Sequence, residues 1–323
     1  MTEQENLDRL ITVFGGSGFL GRHVVRALAK RGSRIRVAVR RPDLTNYLQP
    51  LGRVGQIHAV QANLRYPASI AAAVRDSDVV INLVGILFER GRQQFDTVQA
   101  MGAEAVALAA AAHGAKLVHV SAIGADENST SAYARAKAKG EKLVLAAVPG
   151  ATILRPSIVF GPEDDFFNRF AALARFMPAL PLIGGGTTRF QPVYVGDVAD
   201  AVVKAAEGET QPGATYELGG PEVITFKEVM EFILATVERK RLLVPMPFWA
   251  ARLQATLLQF MPKPLLTPDQ VELLRTDNIV SADAARDGLT LSGLGIVPRA
   301  VETVVPTYLW RFRKTGQFQG RVA

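Results

Sequence analysis

Tyr133 and Lys137 stand four residues apart in Tyr133-Ala-Arg-Ala-Lys137, a spacing that brings a phenol and an ammonium to one face of a helix. A phenol with an ordinary pKa near ~10 exchanges its proton poorly at neutral pH, and a fixed cation beside it favours the phenolate. Ser121 follows directly on the strand-like run 116–120 and adds a hydroxyl suited to holding a carbonyl oxygen. Ser121, Tyr133 and Lys137 are therefore the candidate catalytic set, and their chemistry is proton transfer to or from a carbonyl or hydroxyl group. The same Tyr and Lys spacing also decorates solvated helix faces, so the pair takes its meaning from what surrounds it.

A second constellation lies at the start of the chain. Residues 10–21 read Leu-Ile-Thr-Val-Phe-Gly-Gly-Ser-Gly-Phe-Leu-Gly, an apolar strand running into glycines at 15, 18 and 21, and a helical pattern follows from His23 to Lys30. A strand, a tight glycine turn and a helix N-terminus let backbone N–H groups meet a pyrophosphate. Gly15, Gly16, Ser17, Gly18, Phe19, Leu20 and Gly21 are the expected dinucleotide cradle; the alternative is a glycine turn with a local backbone purpose. The residue that reads the ribose lies about 20 positions beyond the glycines. Here that place holds Arg40, with Arg41 next to it. A carboxylate there would repel a 2′-phosphate, whereas a guanidinium pairs with it through two charge-assisted bonds. The expected cofactor is NADP(H) in preference to NAD(H), against the plainer reading of a solvated basic strand end. With a nicotinamide in place, Ser121 would hold a substrate oxygen and Tyr133 would supply its proton as hydride is transferred.

The elements that must position these residues are legible from patterning. Short apolar strands at 10–14, 35–39, 57–60, 78–83, 116–120 and 151–155 alternate with Ala-rich helical stretches at 18–31, 67–75, 96–113 and 131–147. That alternation is the signature of repeated βαβ units and a parallel sheet. The fold class is α/β: a doubly wound parallel-sheet Rossmann domain with a smaller C-terminal α/β lobe. Past Pro156 proline and glycine become frequent, and no linker separates two halves, so the lobes interleave. The expected division is 9–155 with 189–208 for the cofactor domain and 156–188 with 209–323 for the substrate or interaction lobe. Thr225-Phe-Lys-Glu228 reads as a capping box that opens a later helix.

Composition sets limits. With 323 residues the chain exceeds what one core usually supports, and 48% hydrophobic against 21% charged residues is ordinary globular composition. The absence of cysteine removes disulfides, thiolate metal sites, iron–sulfur clusters and thiol nucleophiles. The four histidines, His23, His58, His113 and His119, show no metal-ligand spacing, so no metal site is expected. Residues 1–6 are polar without the apolar stretch of a signal peptide, and no apolar run reaches the length of a membrane span, which makes the cytoplasm the expected location. A net charge of +7 favours anionic partners: a phosphorylated cofactor, an anionic bilayer surface or an acidic protein assembly. Nucleic acid is the weakest of the anionic candidates, since no binding motif accompanies the charge. In 248–261, Phe248, Trp249, Leu253, Leu257, Leu258, Phe260 and Met261 are mixed with Arg252, Gln254 and Gln259. That apolar face reads first as core or pocket wall, and second as a membrane-surface element.

Taken together, the glycines at 15, 18 and 21 and the set Ser121, Tyr133, Lys137 resemble the short-chain dehydrogenase/reductase superfamily, in its extended and atypical branches. Arg155-Pro-Ser-Ile-Val-Phe-Gly161 resembles the strand after the catalytic helix, and Gln191-Pro-Val-Tyr-Val-Gly-Asp197 the family's later segment. More narrowly, several segments are similar to the nucleotide-binding accessory subunits of respiratory complex I, of the alpha-subcomplex-nine type, and their bacterial relatives. These are Val80-Ile-Asn-Leu-Val-Gly85, Phe95-Asp96, Leu117-Val-His-Val-Ser121, Gly140-Glu141, Pro245-Met-Pro-Phe-Trp249, Leu266-Thr-Pro-Asp-Gln-Val271 and Thr276-Asp277. The resemblance implies further cofactor contacts at Asn63, Leu64, Val84, Gly85, Pro156, Ser157 and Ile158, in addition to Tyr133 and Lys137. Two positions depart from the family pattern: Gln99 stands where active extended members usually carry Asn, and Asn63 where an adenine-reading Asp is common. The resemblance implies a tightly held, stabilising NADP(H), complex I subunits as partners, ubiquinone as the neighbouring substrate of the respiratory chain, and a peripheral place on the inner face of the cytoplasmic membrane. The alternative is an active NADP-dependent reductase, dehydrogenase or epimerase on an unidentified small-molecule substrate.

Overall fold

A computed structural model describes residues 9–262, 264–314 and 316; the polar N-terminal residues 1–6 lie outside this range. The chain divides into two units. The first comprises the residues up to Pro156 with Gly196–Leu218 and Ser281–Val297. Its sheet contains β1 (Leu10–Phe14), β2 (Arg34–Val39), β3 (Ile57–Gln61), β4 (Val79–Asn82), β5 (Lys116–Val120), β6 (Thr152–Pro156) and a last strand, Thr215–Leu218. Across the sheet the order is Thr215–Leu218, β6, β5, β4, β1, β2, β3. Every neighbouring pair is parallel. The order reverses between β1 and β4, and the crevice beyond the strand C-termini at such a reversal is where open α/β sheets bind ligands.

Both sheet faces are apolar because the strands are buried on both sides. Phe14, Ala38, Val80, Leu117 and Ile153 pack with Ala103, Val106, Ala107 and Ala110 of α3 (Gly102–Ala112) and Val144 of α4 (Ala132–Ala147). Ile70 and Val74 of α2 (Pro67–Val74) join them. Val13, Val37, Ile81 and Val118 stand in register and point the other way. There Val25 of α1 (Phe19–Lys30) meets Val13 and Val37 around Gly16. Thr12, a polar residue inside this buried strand, is satisfied by the Ser77 hydroxyl at 2.7 Å and by donation to the Ala73 carbonyl at 3.0 Å.

Two expectations, one about a helix and one about the division of the chain, are corrected. The single helix expected at 96–113 is a π-helical stretch, Asp96–Met101, followed by α3. The wider turn presents the Gln99 carbonyl to α4, and only a glycine at 140 leaves room for it: a Cβ there would lie 2.3 Å from that oxygen. The division of the chain also differs from the expected one. Residues 209–218 and 281–297 belong to the first unit, because Thr215–Leu218 completes the sheet and the Glu217 amide donates to the Leu289 carbonyl. Residues 189–195 belong to the second, where Arg189–Phe190 pairs antiparallel with Ile224–Thr225.

The second unit, Ser157–Val195 with Gly219–Val280 and the residues from Pro298 on, has its own core. Phe160, Phe167, Phe190 and Phe226 pack there with Val229, Ile233 and Leu309. The capping box at Thr225 is present, with Glu228 closing onto the Thr225 backbone at 2.7 Å. The helix Phe248–Leu258 divides the side chains read as core or pocket wall: Phe248 packs against the buried group Ile183, Ala251, Ala255 and Val271, and the others differ. Ala251 and Ala255 are buried, while Trp249 (72%), Leu253 (63%), Leu257 (71%) and, just beyond it, Phe260 (82%) are exposed. Small residues let this helix lie close to its unit, and Trp249, Leu253, Leu257 and Phe260 stay outside.

Candidate active site

The glycine turn follows β1 at the point where the sheet order reverses. Gly15 has φ +79°, a left-handed conformation that a side chain would strain, and its carbonyl accepts from the Gly18 amide at 3.0 Å. Gly18 is the N-cap of α1, and among the described residues no side chain caps this end. A Cβ on Gly18 would find one atom within reach, the Gly15 oxygen at 3.3 Å, whereas a Cβ on Gly21 would sit 2.2 Å from that same oxygen and 2.6 Å from the Gly16 carbonyl carbon. Gly21 thus serves the packing of helix on turn, and Gly18 keeps open the space in front of an uncapped helix N-terminus. That is the donor set a pyrophosphate requires, so the residues fit a dinucleotide.

At the end of β2, Arg40 and Arg41 are both exposed. They are not equivalent. Arg41 forks onto Asp43, with Nε at 3.0 Å from Oδ1 and a terminal nitrogen at 2.7 Å from Oδ2, and this pairing raises the guanidinium pKa and lowers that of the carboxyl. Arg40 has no ion-pair partner among the described residues, which leaves its guanidinium available to a phosphate. Beyond them Tyr47 donates its hydroxyl to the Ser17 carbonyl at 2.6 Å and lies under the Arg22 guanidinium, 5.3 Å from the ring centre. Nothing in the sequence pattern marks Tyr47, which reaches the turn across 30 residues.

Of the proton-transfer set, Lys137 is buried on α4 and donates to the Val120 carbonyl at 3.2 Å. Burial pulls its pKa down to about 8, opposed by Glu141 one turn further on. Glu141 itself holds Arg155 in a two-pronged pair at 2.9 and 2.6 Å. Tyr133, one turn before Lys137, packs edge-on to Phe95 at 5.7 Å, and the Lys137 ammonium lies 6.0 Å from its ring centre. Ser121 follows β5 and is buried, and its hydroxyl has no hydrogen-bond partner among the described residues. A buried hydroxyl left unmatched costs about 1–3 kcal/mol, so it fits a ligand oxygen. Ser131 fixes the start of α4 as its N-cap, accepting from the Ala134 amide.

The remaining expected contacts fall in several places. Val84 and Gly85 follow β4, beside the glycine turn: a Cβ on Gly15 would meet the Val84 amide nitrogen at 3.3 Å. A Cβ on Gly85 would lie 3.5 Å from the Lys137 ammonium. Asn63 follows β3, where its side-chain oxygen accepts from the Arg65 amide at 3.2 Å in a local turn, and Leu64 packs against Gly102. Pro156 ends β6. In the second unit Ser157 is committed to Asn278, bonding both its backbone carbonyl (2.9 Å) and its side-chain oxygen (2.7 Å), with the half-buried Ile158 next to it.

Residues 11–219 match the family described as NAD dependent epimerase/dehydratase. Over 318 residues the chain is 39% identical to NADH dehydrogenase (ubiquinone) 1 alpha subcomplex subunit 9 of Arabidopsis thaliana mitochondria, an alignment covering 94% of this chain and 78% of that one. It is 37% identical over 194 residues to a ceramide reductase of Caulobacter vibrioides, 60% of each chain. Among solved structures, a dTDP-glucose 4,6-dehydratase of Streptomyces venezuelae with NAD bound superposes with a TM-score of 0.71 over 94% of this chain and 96% of that one, at 18% identity, a likeness of fold alone.

Proposed function

The chain belongs to the NAD dependent epimerase/dehydratase family, and from that premise we propose that it is an NADP(H)-binding module of respiratory complex I, in which the dinucleotide chiefly stabilises the fold. The observation that carries the cofactor reading is the contrast at the glycine turn, where Gly21 is filled by its neighbours and Gly18 faces open space before an uncapped helix. Residues 15–21 would hold the pyrophosphate, Arg40 the 2′-phosphate, and Val84 and Gly85 would wall the site near Lys137. Similarity to an NADH dehydrogenase (ubiquinone) subunit along nearly the whole chain, at 39% identity, supports complex I subunits as partners and ubiquinone chemistry as the setting. The exposed stripe Trp249, Leu253, Leu257 and Phe260, flanked by Arg252, supports contact with an anionic membrane surface and hence a peripheral place on the inner face of the cytoplasmic membrane. No helix among the described residues is long and apolar enough to cross a bilayer. Purification from the native host, with identification of co-purifying proteins and of the extracted nucleotide, tests the reading. Complex I subunits with stoichiometric NADP(H) support it; a free protein carrying no nucleotide overturns it.

A second reading, an active NADP-dependent reductase or epimerase, is favoured by the unmatched Ser121 hydroxyl and by similarity to a ceramide reductase. A bound nicotinamide supplies or accepts hydride. Ser121 would hold the substrate oxygen, Tyr133 would give or take its proton, and the buried Lys137 would favour the phenolate.

A further inference from the structure

We propose that His119, Asn82 and Gln99 are positioning residues, which clamp the three-residue loop Val84-Gly85-Ile86 against Lys137 through a neutral His119 imidazole. The inference rests on the reading of this loop as a wall of the cofactor site, and it adds the residues that hold the wall in place.

Hydrogen-bond logic fixes each role. The Val84 amide can only donate, so the Asn82 atom 3.1 Å from it is the side-chain oxygen. The Asn82 amide nitrogen then faces His119 Nδ1 at 3.2 Å. An NH2 group donates, which means that Nδ1 carries no proton and the ring holds its single proton on Nε2. Nε2 has no partner among the described residues, so the tautomer is set from the Nδ1 side alone. The charge environment agrees. Asn82 and Ile153, the register partners of His119 on β4 and β6, are uncharged; the charged group acting on the ring is the Lys137 ammonium from α4, which together with burial opposes a second positive charge.

The other end of the loop is held independently. Gln99 Nε2 donates to the Ile86 carbonyl at 3.1 Å. Gln99 is in turn seated against α4, the helix that carries Lys137, because Gly140 admits its backbone carbonyl. Between the two bonds sits Gly85, the residue whose Cβ would stand 3.5 Å from the Lys137 ammonium. Asn82 and Gln99 therefore pin the residues on either side of the one that faces the lysine.

The test compares His119→Leu, which removes the acceptor, with His119→Asn, whose side-chain oxygen replaces Nδ1. Exchange of the Val84 amide hydrogen in the nucleotide-free chain and the NADPH dissociation constant are measured for both, and the tautomer of wild-type His119 is read from its ring 15N signals at pH 7. Expected are a proton on Nε2, at least tenfold faster Val84 exchange with at least tenfold weaker NADPH binding in His119→Leu, and recovery of both to within about threefold in His119→Asn. A wild-type proton on Nδ1, or a folded His119→Leu with unchanged Val84 exchange, overturns the clamp. Should His119→Leu fail to fold, the wild-type tautomer still decides, and so does an Asn82→Asp variant whose carboxyl is shown by its 13C signal to be ionised: an ionised carboxylate draws a proton onto Nδ1, and an unmoved tautomer beside it contradicts the assignment. A wild-type chain that binds no dinucleotide refutes the cofactor reading, while the exchange and tautomer data decide the clamp separately.

Discussion

Gly18→Ala and Gly21→Ala are the same chemical change three residues apart, and the structure expects opposite outcomes from them. At Gly21 the new methyl would stand 2.2 Å from the Gly15 carbonyl oxygen and 2.6 Å from two backbone atoms of Gly16, none of which belongs to a flexible side chain. Alanine inside a helix is worth up to about 1 kcal/mol over glycine, yet overpacking against backbone costs roughly 1–3 kcal/mol or more, so the clash wins. Gly18 has φ −75° and ψ −178°, which any residue adopts, and a methyl there meets one atom at 3.3 Å. Its expected effect on the nucleotide-free chain is below about 1 kcal/mol, the loss of a favourable N-cap residue. The dinucleotide reverses the comparison, since at 100-fold excess over its dissociation constant it adds about 2.7 kcal/mol of stability to a chain that binds it. Urea denaturation with and without NADPH should show Gly21→Ala destabilised in both conditions. Gly18→Ala should match wild type without nucleotide and lose the increment that NADPH gives. Equal NADPH stabilisation of Gly18→Ala and wild type would refute the cradle.

Tyr133→Phe keeps the ring packed on Phe95 and removes the phenol. Growth of the host, complex I assembly and nucleotide content should stay normal if the cofactor is structural, whereas a loss like that of the gene deletion with nucleotide retained would establish catalysis, for which about 10²-fold or more in turnover is at stake. Burial holds His119 well below its ordinary 6.5, at about 3, so its contribution to stability is complete above pH 6.5 and lost as pH falls toward 3. At about 1.4 kcal/mol per pH unit, wild type should lose roughly 2–3 kcal/mol between pH 6.5 and 4.5 that His119→Asn does not; parallel denaturation curves against pH would refute this. Trp249→Ser with Leu257→Ser should weaken sedimentation with phosphatidylglycerol vesicles at least tenfold, since two large exposed apolar side chains are removed; unchanged sedimentation would free this face from membrane contact.

What the sequence disclosed and what it withheld divide along the range of the interactions. The glycine turn, the six leading strands and the capping box at Thr225 are local patterns of period and punctuation, and each was readable within a dozen residues. The strand Thr215–Leu218 is not legible in the sequence because it is a short run whose place in the sheet depends on β6, far back in the chain. The π-helical turn at Asp96–Met101 carries an ordinary helical period, and its width is matched to Gly140 on another helix. The stripe Trp249, Leu253, Leu257, Phe260 has the period of a core-facing helix; only the burial of Ala251 and Ala255 reverses its sense. Around the site, Tyr133, Lys137 and Ser121 announced themselves by type and spacing, while Asn82, His119 and Tyr47 act through contacts 30 or more residues apart in sequence that no spacing rule reaches.

The central claim, a dinucleotide site that selects the 2′-phosphate through Arg40, is tested most directly by calorimetric titration of nucleotide-free wild type, Arg40→Ala and Arg41→Ala with NADPH and NADH. A charge-assisted phosphate pair is worth about 1.5–3 kcal/mol, or roughly tenfold or more in affinity. Wild type should therefore bind NADPH at least tenfold more tightly than NADH. Arg40→Ala should abolish the difference while keeping NADH affinity. Arg41→Ala should retain most of it, because that guanidinium is engaged by Asp43. Equal wild-type affinity for the two dinucleotides, or equal loss of both in Arg40→Ala, would contradict the account.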